Sequence, residues 1–197
     1  MEMLVVATKN KGKIFEIKKV LLNMPFEVVA MSDMGINIDV DENGTTFEEN
    51  SLKKAIEICN VSRTIVMADD SGIEVDFLNG APGIYSARFG GAEATDKDRN
   101  DKLLNMLKDV PLEQRTARFV CAIAIAFPDG RSFVVRDTCE GFIDFETKGN
   151  NGFGYDPLFY VQQYEKTMAE LGIDIKNKIS HRAKALAKMA VEIVDYL

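Results

Sequence analysis

The sequence predicts an α/β protein whose sheet is partly antiparallel, and three observations predict it. Apolar, strand-like runs at 3–7, 26–31, 64–68 and 73–78 alternate with helical patterns at 12–23 and 46–60, the order of strands joined by crossover helices. A later stretch, "RFVCAIAIAFPDGRSFVVRDTCEGFID", reads as two long strands around Pro128-Asp129-Gly130, a hairpin turn that joins antiparallel neighbours. No repeat, low-complexity segment or Pro/Ser-rich linker interrupts the 197 residues. The whole chain, 1–197, is therefore expected to form a single domain with its own core.

Each element has a local reason. Met3-Leu4-Val5-Val6-Ala7 is a short apolar strand that gives way to lysines and a helical pattern. The 46–60 helix carries a start signal, because Thr46 followed three residues later by Glu49 fits a capping box. The 95–109 helix has Thr95 as its N-cap, with Pro111 just beyond its end. The chain closes after Ser180 in an amphipathic helix whose apolar residues Ala183, Leu186, Ala187, Ala190, Ile193 and Val194 keep helical spacing.

Bulk properties narrow the function classes. The net charge of −7 argues against stable nucleic-acid binding, which needs a basic surface; an acidic protein binds a small polyanion only by concentrating cations locally. Cys59, Cys121 and Cys139 show no CxxC spacing and have no histidine nearby, so buried free thiols in a reducing, cytoplasmic setting are expected. No apolar run approaches the roughly 20 residues of a membrane span, and no membrane partner is expected.

Four stretches carry candidate chemistry. In "ATKNKGKIFE", Thr8, Lys9, Asn10, Lys11, Gly12 and Lys13 lie between a strand end and a helix start, where backbone N–H groups and lysines can cradle phosphate. It is no Walker loop, since the GxxxxGK[ST] spacing is absent. The second is acidic: Asp39, Asp41, Glu42, Glu48 and Glu49, then Asp69 and Asp70 ahead of Ser71 and Gly72. Asp69 to Gly72 is open to two readings, a turn closing the strand or a divalent-cation site. Magnesium takes only one or two protein carboxylates, which favours Asp70 plus one acid from 39–42.

The third stretch, "GNNGFGYDPLF", sets Phe153, Gly154, Tyr155 and Asp156 in a glycine-rich loop, where an exposed Phe153 suggests a stacked base or a covering lobe. The fourth, "KNKISHRAKA", holds Lys176, the only histidine, His181, and Arg182. That cluster of donors favours an acceptor-rich ligand. Together the four supply the inventory for a nucleoside triphosphate with magnesium.

The chain resembles the inosine/xanthosine triphosphate pyrophosphatases, which clear deaminated purines from the nucleotide pool. "ATKNKGK", "TFEENSLKKA", "ADDSGIEVDFLNGAPGIYSARF", "GFGYDPLF" and "SHRAKAL" carry the resemblance, in order, from Val5 to about Leu186. It implies an elongated two-lobed α/β protein, with a long mixed sheet flanked by helices and the active-site cleft between the lobes, acting as a homodimer. It implies Mg-dependent hydrolysis of ITP, dITP and XTP to the monophosphate and pyrophosphate. Thr8 to Lys13 would hold the triphosphate, Asp70 would be metal ligand and proton acceptor, and Ser71 would touch the substrate. Phe153 to Asp156, Lys176, His181 and Arg182 would line base and sugar. Asp41 is taken as the second metal ligand with Glu42 as its substitute, because the family commonly has glutamate where Asp41 is placed.

Overall fold

A computed structural model describes residues 2–91 and 93–196. Its elements in chain order are β1 (Glu2–Val6), α1 (Lys11–Val20), β2 (Phe26–Ala30), α2 (Phe47–Ser62), β3 (Ile65–Val75), α3 (Asp96–Met106), β4 (Thr116–Ala126), β5 (Ser132–Ile143), β6 (Phe159–Val161), β7 (Lys166–Thr167), α4 (Ile173–Ile179) and α5 (His181–Glu192), with short 3-10 turns between them. The strands form one mixed seven-stranded sheet in the order β2-β1-β3-β4-β5-β6-β7. β1 pairs parallel with β2 and β3, whereas β5–β6 and β6–β7 are antiparallel. The turn from β4 to β5 is the expected one: Gly130, at φ 92°, donates to the Phe127 carbonyl, and Phe127 donates to the Arg131 carbonyl.

The chain divides into two compact units, 1–70 with 121–137 and 181–197, and 71–120 with 138–180. In the first, strand alternation sorts side chains to two faces. Leu4, Val6, Met67, Cys121, Ile123 and Ile125 pack with Ile17 and Leu21 of α1 and with Ala185, Leu186 and Met189 of α5. Val5, Ala7, Val66, Ala68, Ala124 and Ala126 pack with Ala55, Ile58 and Cys59 of α2. The second unit has its own core, in which Ile73, Val75, Phe119, Cys139 and Ile143 meet Leu103 and Leu107 of α3 and Leu158, Phe159 and Met168. Arg115 is fully buried there, its guanidinium donating to the carbonyls of Val110, Leu107 and Asp144.

One sequence expectation is corrected here. Asp69 to Gly72 does not turn, and β3 runs unbroken from Ile65 to Val75. The two carboxylates find partners on opposite faces of the pleat, Asp69 among the cations of α1 and α5 and Asp70 against α2, so the chain has no need to leave the sheet. A second expectation holds in part: Thr46 accepts from the Glu49 amide, but the Glu49 carboxylate accepts from the amide and hydroxyl of Thr45 instead of closing the box on Thr46. At Thr95 the box is complete, with Asp98.

Candidate active site

In the first unit the phosphate candidates sit where β1 feeds α1. Asn10 is the N-cap, its Oδ1 accepting from the Lys13 amide at 3.1 Å, and the Asn10 amide donates to Thr8 Oγ1 at 3.2 Å. No acid occupies the first turn of α1, so no carboxylate of that turn offsets its positive end or the charges of Lys11 and Lys13. A cavity of about 320 Å³ opens beside it, lined by Thr8, Lys9, Asn10, Asp39, Glu42 and Lys54 among others. Lys9 pairs with Asp39 at the surface.

Around Asp69 lies a buried charge network. Lys13 Nζ is 3.0 Å from Asp69 Oδ2, and Arg182, at the start of α5, donates Nε and Nη2 to the same oxygen at 3.2 Å. Arg182 Nη1 donates to Glu16, which is itself buried. Burial alone would raise the Asp69 carboxyl, but Lys13, Arg182 and Lys54 outweigh it and hold Asp69 ionised well below the usual carboxylate range. His181 is buried beside Arg182 on the first turn of α5.

Asp70 behaves oppositely, although it is the next residue. Burial, joined by the Glu42 charge, pushes its carboxyl up to about 6 against the opposing pull of Lys13, the Asn50 hydrogen bond and Lys54. Asn50 is the strut, donating Nδ2 to Asp70 Oδ2 at 3.1 Å and accepting the Gly44 amide on Oδ1 at 2.8 Å. A β-carbon on Gly44 would lie 2.7 Å from that Oδ1, so glycine is what lets the 39–45 loop come this close. Lys54, one helical turn beyond Asn50 on α2, forms an ion pair with Glu42 and approaches the Asp69 carbonyl at 3.5 Å.

The acid that acts on Asp70 is thus Glu42. Asp41, the sequence choice, is exposed and offers its backbone carbonyl to Lys53 at 2.7 Å. Glu42 and Asp70 make an all-oxygen donor pair, and the buried Asp70 gains from any cation that relieves its load, which is the chemistry of a hard divalent ion. The pair fits magnesium.

The second unit holds the other candidates. The boundary between the units falls after Asp70 and again after Ser180, so half-buried Ser71 directly follows the metal candidate along β3. Asp156 Oδ2 accepts from the Phe153 amide at 2.9 Å and from the buried Lys176 Nζ at 2.6 Å. Lys176 Nζ also stands 4.9 Å from the centre of the Phe153 ring, within cation–π range. Tyr155 is buried, its hydroxyl donating to the Ser86 carbonyl at 2.8 Å, and burial pushes that hydroxyl above its usual range. Phe153, Asp156 and Lys176 therefore converge, while Tyr155 braces the loop from behind.

Sequence reasoning missed Glu16, Asn50, Lys54, Asp96 and Asn100. For Asn50 and Lys54 a signal existed, since an i,i+4 pair shares one helix face and both lie in a stretch already singled out.

The Ham1 family model matches residues 4–192. A dITP/XTP pyrophosphatase of Desulforamulus reducens is 50% identical over 98% of this chain and 96% of its own. Another so named, from Bacillus cereus, is 48% identical over 100% of this chain and 97% of its own. The solved structure of the Staphylococcus aureus Ham1 protein superposes with a TM-score of 0.88 at 40% identity, covering all of both chains. The chain belongs to the Ham1 family.

Proposed function

We propose that this protein is a nucleoside triphosphate pyrophosphatase that hydrolyses deaminated purine nucleotides, dITP, ITP and XTP, to the monophosphate and pyrophosphate. One geometric fact carries the reading: Asp70 is a buried carboxylate, held by the Asn50 side-chain amide and set in the unit that also carries a lysine-lined helix start. That sets a carboxylate able to accept a proton and to meet a cation together with a polyanion cradle. The names of the full-length relatives support the choice of base.

In this mechanism the helix start from Thr8 to Lys13 binds the triphosphate, with Lys11 and Lys13 compensating its charge. Asp70 takes the proton from a water that attacks the α-phosphorus, and the α–β anhydride bond breaks to release pyrophosphate. Asp69, kept ionised by Lys13 and Arg182, orients those cations and does not itself take the proton. Glu42 and Asp70 are the residues that would hold magnesium, whose charge, when bound, would neutralise that developing on the phosphate oxygens. Lys54, paired with Glu42, keeps that acid in place.

Phe153 stacks on the base, and Ser71, Asp156 and Lys176 hold base and sugar. His181 and Arg182 donate to the C6 oxygen that distinguishes hypoxanthine and xanthine from adenine. The two acids bound to Arg182 fix the plane of its guanidinium, which makes it a rigid donor. A homodimer in a reducing cytoplasm completes the proposal. The three cysteines are buried thiols, and among the described residues no helix is long and apolar enough to cross a membrane.

A substrate panel tests this reading. With magnesium, kcat/KM for dITP, ITP and XTP should exceed that for ATP by orders of magnitude, as expected when the wrong ligand leaves buried polar groups unpaired. Equal efficiency on all four would refute the base reading, and no pyrophosphate from any of them would refute the enzyme.

A further inference from the structure

We infer that Asp96 and Asn100 of α3 are positioning residues that grip both backbone polar groups of Gly154 and so fix the pose of the Phe153 ring. Asp96 Oδ2 accepts the Gly154 amide at 2.7 Å, and Asn100 Nδ2 donates to the Gly154 carbonyl at 3.0 Å. Two residues four apart on one helix face thus hold the two peptide groups that flank one Cα, more than 50 residues away in sequence.

The loop needs such a grip. Gly152 and Gly154 flank Phe153 at φ 80° and 63°, and glycines lose more conformational freedom on ordering than any other residue. A β-carbon on Gly154 would meet nothing within 4 Å, so only its φ, and not crowding, calls for glycine there. On the N-terminal side the loop is self-tied, Phe153 N–H to Asp156. On the C-terminal side its tie comes from α3.

The two side chains are not explained by the helix itself. Thr95 and Asp98 already cap α3, while Asp96 and Asn100 both reach another segment. Asp96 is braced for the task, because its Oδ1 accepts from Arg99 Nη2, and Arg99 Nη1 is anchored on the carbonyls of Ala94 and Ala87. Asn100 is 4% exposed, and its Oδ1 is buried without a hydrogen-bond partner among the described residues. The fold tolerates that orphaned acceptor while the Nδ2 bond to Gly154 is made.

The inference rests on the proposed stacking role of Phe153. Loosening the loop lowers the fraction of protein competent to stack a base, which weakens apparent affinity in proportion and leaves the phosphate chemistry alone. Asp96→Ala should raise KM for dITP about tenfold, the scale of one lost charge-assisted hydrogen bond. The kcat should stay within about twofold, since the groups at the α-phosphorus are untouched. Asp96→Asn keeps an acceptor and should recover most of the loss, and Asn100→Ala should mimic Asp96→Ala without changing charge. The inhibition constant of inorganic tripolyphosphate, which has no base, should be unchanged in all three. In a Phe153→Ala background Asp96→Ala should add nothing. If Phe153→Ala raises KM while neither Asp96→Ala nor Asn100→Ala does, or if the Asp96 and Phe153 effects multiply, the positioning role is overturned. A normal KM in Phe153→Ala would remove the stacking role itself, and this inference with it.

Discussion

Asp70→Asn should abolish turnover and at the same time stabilise the metal-free protein, because a buried carboxylate that a cation would relieve is a cost to folding when no cation is bound. Its carboxyl moves from 3.8 to about 6 on folding, so between those values the folded state binds the proton more tightly than the unfolded state does. Below pH 4 both states are protonated and no penalty exists; as pH rises through 6 the folded state must also ionise, and stability is lost. The full penalty above pH 7 is of the order of 3 kcal/mol. An asparagine removes the charge and can still accept the Asn50 Nδ2 hydrogen bond now made to Asp70 Oδ2. The expected gain at pH 8, in EDTA, is up to about 3 kcal/mol, or roughly 6–12 °C in Tm for a chain this long. The difference between variant and wild type should shrink to about half at pH 5 and below about 1 kcal/mol at pH 4. Thermal unfolding of both proteins across pH 4–8 reads this out. An Asp70→Asn protein no more stable than wild type at pH 8, or a difference independent of pH, would refute the claim that burial loads Asp70.

The metal assignment separates two neighbouring acids: Glu42→Gln should raise the magnesium concentration for half-maximal activity at least about tenfold, whereas Asp41→Asn should leave it nearly unchanged, as a magnesium titration of initial rates will show. Lys13→Ala should weaken binding of a non-hydrolysable dITP analogue by roughly 1.5–3 kcal/mol, the range for a lost charged hydrogen bond, measured by calorimetry. Arg182→Ala strands two buried acids, Glu16 and Asp69, and should cost about 3–5 kcal/mol of stability in denaturant unfolding. Arg182→Lys keeps the charge but not the fork, and should lower kcat/KM for ITP more than for ATP; a uniform loss would assign Arg182 to structure alone.

How much was legible in the sequence depended on whether the signal was local. The helix start after the Lys9–Lys13 stretch, the Thr95 N-cap and the Gly130 turn are written within a few residues, and each forms as expected. Asp69 to Gly72 misled for the same reason: its composition is that of a turn, and only Lys13, Asn50 and Arg182, distant in sequence, explain why two adjacent acids stay in a strand. That the Glu42 charge acts on Asp70 is likewise invisible in the sequence, because it depends on the loop path fixed where the Gly44 amide meets Asn50. Asp96 and Asn100 read as an ordinary polar helix face, since nothing local announces a partner at Gly154.

The most direct test of the central claim is to run the reaction with dITP in ¹⁸O-labelled water and weigh the products. Attack at the α-phosphorus by a water deprotonated at Asp70 predicts one heavy oxygen in the monophosphate and none in the pyrophosphate. Label in inorganic phosphate, with a nucleoside diphosphate left behind, would contradict the account.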